Sequence, residues 1–155
     1  MMSPTTSSLP RAMMELVGIM LLKFPPFLRI WIITLVSFNI GGILLFPSVL
    51  ETKVIFAVLN MGVLLMTFLY QYYGGFTKLL GLAHIFWLAL VPWLAFRLAT
   101  GAVVPESYLM FWLAGVITVN SISLLLDIRD MYQYFYEGMI QPELYWKDQP
   151  TTKAE

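Results

Sequence analysis

The chain has 155 residues, 59% hydrophobic and 12% charged, with a formal net charge of zero and no cysteine. A mean hydropathy of +0.78 is far above that of an ordinary soluble domain, and the length leaves room for one membrane domain and nothing else of size. The scattered Lys and Arg make no nucleic-acid footprint, and the missing cysteines exclude thiol–disulfide exchange, Cys-ligated clusters, zinc knuckles and palmitoyl anchors.

In chain order, Met1–Pro10 is polar and rich in Ser, Thr and Pro, which predicts a disordered lead-in. Ala12–Leu22 is apolar apart from Glu15 but too short to span, and it lacks a small-residue cleavage site before Lys23. Pro25-Pro26 then breaks the helix. Arg11–Lys23 is therefore predicted as a short interfacial helix held by Met13, Met14, Leu16 and Met20, with an uncleaved signal anchor as the alternative. Four apolar stretches follow, Ile30–Phe46, Val54–Tyr70, Leu79–Phe96 and Tyr108–Leu126, and none contains Lys, Arg, Asp or Glu. A helix rises ~1.5 Å per residue, so ~17–25 apolar residues cross the hydrocarbon core.

The connections carry helix signals. Ser48-Val49-Leu50-Glu51 fits a capping box that would start the second helix nearer Val49. Gly74-Gly75 suits its C-terminal end, and Thr77 suits an N-cap for the third. Pro92 should kink the third helix and free the carbonyl near Leu88. Pro105, Glu106 and Ser107 open the fourth helix, and Asp127–Glu137 has no breaker, so the helix is expected to extend one to three turns past the bilayer before Gly138. Tyr70, Tyr72, Tyr73, Tyr132, Tyr134, Phe135, Tyr136, Tyr145 and Trp146 suit a headgroup-level aromatic belt. The predicted fold is an all-α membrane protein, a four-transmembrane-helix antiparallel bundle with a short N-terminal interfacial helix. Its parts are a lead-in and interfacial helix over 1–23, the transmembrane domain over 24–137, and a cytoplasmic interfacial tail over 138–155.

Four spans place both termini on one side. That side carries Arg11, Lys23, Arg29, Lys78, Arg129, Lys147 and Lys153, whereas the opposite loops carry Lys53 and Arg97. The positive-inside bias then predicts cytoplasmic termini. In a bacterium the membrane would be the inner one.

Polar residues inside the spans leave two readings. Asn39, Asn60 and Asn120 each stand in an apolar span with small residues nearby. Interhelical hydrogen bonding accounts for them, with the small residues, including the Ser37/Gly41 pair, allowing close approach. The other reading is a set of amides lining a solute path. On the fourth helix, Asn120, Ser123, Asp127 and Asp130 recur at spacings of three and four and so share one face. His84 lies about five residues into the third helix, ~8 Å deep at α-helical rise. His84, Asn120, Ser123 and Asp127 thus form a candidate polar pocket, with His84 as a titrating or ligand-binding group and Asp127 as its charge partner. The plainer reading bonds His84 to a backbone carbonyl or Asn120 and pairs Asp127 with Arg29 or Lys78. Arg97 has Glu106 as an ion-pair candidate across the loop.

No metal or other cofactor is expected. One His and no Cys cannot close a metal site or a bis-His haem within a monomer, and Met61, Met66 and Met110 read as packing. No nucleophile elbow, phosphate loop or HExxH signature is present.

The segment from Tyr72-Tyr73-Gly74-Gly75 through His84-Ile85-Phe86-Trp87 resembles part of small bacterial four-helix inner-membrane proteins without an assigned function. The resemblance implies a bacterial inner membrane and carries no catalytic residue across. The expected function is a non-catalytic integral membrane protein, an accessory or assembly subunit that binds a larger membrane partner or self-associates, with the lipid bilayer around it and no nucleic acid. The alternative is a small oligomeric transporter or channel for a neutral or lipid-like solute; an interfacial enzyme using His84 and Asp127 ranks behind both.

Overall fold

The computed structural model describes residues 8–103 and 107–137. All regular elements among them are helical, and four are long and apolar enough to cross a membrane: Pro26–Leu45, Leu50–Tyr73, Lys78–Ala99 and Tyr108–Tyr136. The tail over 138–155 and Glu106 lie outside the described residues.

Helix α1 runs Leu9–Gly18 and continues as a π-helical stretch, Ile19–Lys23. Phe24 is extended because it precedes proline, where the ring disfavours helical backbone. Ala12 and Leu16, one turn apart on α1, are buried against Tyr70 and Leu80. Met13 and Met14 are exposed, so only Leu16 and the half-buried Met20 of the four expected anchors face the protein.

Helix α2 (Pro26–Leu45) begins with proline in its first turn, where no amide partner is lost. Helix α3 (Leu50–Tyr73) starts where the sequence signal put it, but not by the expected capping box, since Val49 is the cap residue and no side chain caps it. Thr52 instead donates its hydroxyl to the carbonyls of Phe46 at 2.7 Å and Val49 at 2.8 Å, and Glu51 turns toward α4. Gly74 ends α3 with φ 68°, a left-handed geometry that only glycine adopts cheaply; Gly75 N–H closes the motif on the Tyr70 carbonyl at 3.1 Å.

The third span differs from a plain α-helix. Lys78–His84 is a 3₁₀-helix, followed by a turn at Ile85–Phe86 and then α4 (Trp87–Ala99), which contains Pro92. Thr77 holds the cap position but makes no side-chain cap bond. Because 3₁₀ backbone rises ~2 Å per residue, His84 lies nearer ~10 Å along the span than the α-helical figure. Helix α5 (Ser107–Glu137) has 31 residues, ~46 Å of helix against ~30 Å of hydrocarbon, so its last turns exceed a bilayer core.

Small residues set the closest approaches. The indole of Trp112 on α5 occupies the space over Gly42 on α2, and Phe38 on α2 fills the space over Gly115 on α5. Trp112 Nε1–H donates to the Phe38 carbonyl at 3.0 Å, which satisfies the polar edge of a mostly apolar ring. Gly62 on α3 admits the Ala83 carbonyl of the 3₁₀ segment. Around α4, Ile55, Trp87, Leu90, Leu94, Leu113 and Val116 form the larger apolar cluster.

Candidate functional site

The 3₁₀ segment explains the geometry of the site. With three residues per turn, positions i and i+3 eclipse, so Lys78, Gly81 and His84 stand in one row. On α5 the stripe Ser123, Asp127, Asp130 and Gln133 faces the segment at helical spacing. The two rows interlock. Lys78 Nζ donates to Gln133 Oε1 at 2.7 Å, and His84 Nδ1 lies 2.7 Å from Asp127 Oδ2. Gly81 provides the clearance, since a Cβ there would stand 2.8 Å from Asp127 Oδ1. No signal in the sequence marked Gly81, because its meaning depends on which carboxylate crosses it.

In the His84–Asp127 pair the carboxylate accepts, so Nδ1 carries the proton. That leaves Nε2 as the ring's free edge. Both side chains are mostly buried but not sealed. A histidine oriented in this way offers Nε2 as an acceptor to a donor group, with Asp127 fixing the ring from its other side.

A cavity of about 200 Å³ adjoins this pair. Its polar wall is Thr77, Lys78, His84, Ser123, Asp127 and Asp130, and its apolar wall is Met20, Phe24, Leu28, Trp31, Ile32 and Leu35. The first wall comes from the 3₁₀ segment and α5, the second from the α1–α2 turn and α2. Thus His84, Ser123 and Asp127 of the candidate pocket line one cavity, whereas Asn120 does not.

Asn120 is spent elsewhere. Its Nδ2 donates to Asn39 Oδ1 at 3.0 Å, and Asn39 Nδ2 donates back to Asn120 Oδ1 at 3.2 Å. Each amide also donates to the carbonyl one turn back, Val116 and Leu35, both at 2.8 Å. The pair is 1–2% exposed and ties α2 to α5. Replacing Asn39 alone with leucine is expected to cost about 1–2 kcal/mol, because it strands a buried amide. The double replacement Asn39→Leu/Asn120→Leu should cost less than the sum of the singles, as read from unfolding in a double-mutant cycle.

Asn60 does not join another helix. It is exposed and donates to the Phe56 carbonyl of its own helix at 2.7 Å. Arg97 pairs with α3. Its Nε–H donates to Glu51 Oε1 at 2.7 Å, joining the first turn of α3 to the last of α4, and its guanidinium lies 5.7 Å from the Trp93 ring. Of the alternative partners for Asp127, Lys78 donates to Gln133, and Arg29 Nε is buried without a hydrogen bond. Among the described residues no three His, Asp or Glu side chains converge as a metal site.

No protein-family model, curated protein or solved structure matches the chain.

Proposed function

We propose that this chain is a non-catalytic integral membrane protein, an antiparallel four-helix bundle with α1 at the interface and both termini cytoplasmic. Its role is to assemble within the membrane, as an accessory subunit on a larger membrane protein or with its own copies. The supporting observation is Asn60. It sits mid-helix in α3, exposed among Phe56, Met61 and Leu64, with its Oδ1 and second N–H unpartnered among the described residues. An amide facing hydrocarbon gains from a second helix that accepts and donates in return, each contact being worth ~0.6–2 kcal/mol. The reciprocal Asn39–Asn120 pair is the same chemistry already used inside this chain.

Transport is the weaker reading. A solute path needs the asparagines to follow one another, but Asn39 and Asn120 close on each other while Asn60 faces outward. The test is the mass of the full chain purified in nanodiscs from native membranes. The wild type is expected as a complex or homo-oligomer, and Asn60→Leu as a monomer. A monomeric wild type without a partner would sink the assembly reading.

A further inference from the structure

Helix α3 turns an apolar face away from the rest of the chain, and one amide stands in it. Ala57, Asn60, Leu64 and Phe68 are all exposed and recur at spacings of three and four, so they share one side of α3. Asn60 lies near the middle of this 24-residue helix, ~15 Å from its start, too deep for a short side chain to reach the headgroups. An amide has one oxygen and two N–H groups, and Asn60 uses a single N–H, on the Phe56 carbonyl. Thr118 is also exposed on α5, but its hydroxyl is spent on the Ala114 carbonyl one turn back. Hydrocarbon offers nothing to the remaining groups of Asn60, so whatever covers this face has to bring a donor and an acceptor to the same depth.

A second copy of the chain meets that demand by symmetry. Copies oriented by one Lys/Arg bias insert the same way up, and a two-fold axis along the bilayer normal sets α3 beside α3 in parallel. Each residue of the seam then faces its own counterpart at equal depth, and Asn60 meets Asn60. An amide is its own complement, as Asn39 and Asn120 demonstrate by donating to each other. We propose that α3 pairs with α3 of a second copy in a parallel two-fold dimer, held by reciprocal Asn60 bonds with Ala57, Leu64 and Phe68 as the apolar seam. The pairing rests on the assembly reading of the chain and names the second copy as its partner. Ala57, one turn from Asn60, carries a single methyl and lets the two backbones approach closely. A step of three and then four along 57, 60 and 64 is the heptad seam, where one polar amide fixes register and partner number.

The chain has no cysteine, so single cysteines report pairing without background. Ala57→Cys and Leu64→Cys probe the seam, while Leu44→Cys on α2 and Phe111→Cys on α5 probe other exposed surfaces. The full chain carrying each is oxidised in native membranes, and its mass is read with and without reductant. Disulfide-linked dimer is expected at 57 and 64 but not at 44 or 111, because the bond needs Cβ atoms within about 4.5 Å. Adding Asn60→Leu is expected to weaken pairing about tenfold, the scale of the amide contacts, whereas Asn60→Gln keeps an amide and most of the linkage. Melting of the detergent-diluted monomer should be unchanged by Asn60→Leu, since the bond it removes lies within α3, so the loss reads pairing and not folding. Linkage at 44 or 111 instead, equal linkage at all four positions, or linkage indifferent to Asn60→Leu would overturn the α3 pairing. So would a stoichiometric larger partner in the nanodisc mass with no self-linkage, which leaves the assembly reading standing. A monomer with neither partner nor linkage would overturn both.

Discussion

Replacing Arg97 with methionine is expected to destabilise the protein by about 3–5 kcal/mol, the scale for stranding one member of a buried ion pair. The asymmetry of the pair decides which half matters more. The Glu51 side chain is 4% exposed and that of Arg97 29%, so losing the arginine leaves a nearly buried carboxylate without its ion-pair partner. Glu51→Gln should cost less, because Arg97 keeps a partly exposed guanidinium and its contact with Trp93. The double variant Glu51→Leu/Arg97→Met is expected to recover much of the loss, since packed apolar side chains replace buried ion pairs at little net cost. Denaturant unfolding in detergent micelles, run as a double-mutant cycle, measures all three. If Arg97→Met and Glu51→Gln are both near neutral, the pair does not hold α3 to α4.

Adjacent glycines on α2 should respond in opposite ways to the same added methyl group. In Gly42→Ala the new Cβ would lie within the Trp112 indole, and a rigid ring cannot yield as the tip of a flexible side chain does. Trp112 would have to turn away, losing its bond to the Phe38 carbonyl, and the expected cost is about 1–3 kcal/mol. In Gly41→Ala the nearest atom is Trp112 Nε1 at 3.9 Å, an ordinary contact. There alanine's better helix propensity should stabilise by about 0.5–1 kcal/mol. Thermal unfolding of the two variants, followed by tryptophan fluorescence, separates them. Equal effects would mean that Trp112 does not pack over Gly42.

What was legible in the residues follows from periodicity and length. Each span needs only enough apolar residues to replace water with lipid, and that requirement is written in consecutive positions. The left-handed end of α3 was legible because Gly74 answers a local backbone demand. The extension of α5 past residue 126 was legible because no proline or glycine interrupts it before Gly138. Bounds of the spans moved outward at their charged ends, where hydropathy falls but backbone hydrogen bonding continues.

The site was only half legible. A spacing of three and four put Asn120, Ser123, Asp127 and Asp130 on one face of α5, yet it could not say that this face serves two neighbours. Asn120 goes to α2, and Asp127 goes to the 3₁₀ segment. The capping box at Ser48 looked complete because its residue types were right, but Glu51 is drawn 46 positions along the chain to Arg97. Asn60 shares its context with Asn39, yet only one of them has a helix opposite it.

By itself the sequence determined the number of apolar helices long enough to span a membrane and which positions break them, because each of these depends on neighbours along the chain. Tertiary structure alone decided who meets whom. The 3₁₀ winding of Lys78–His84 aligned Lys78, Gly81 and His84, glycine at 81 let Asp127 come close, and facing α2 left a cavity beside them. Those outcomes turn on packing distances between helices far apart in the chain, and no local pattern of residue types encodes them.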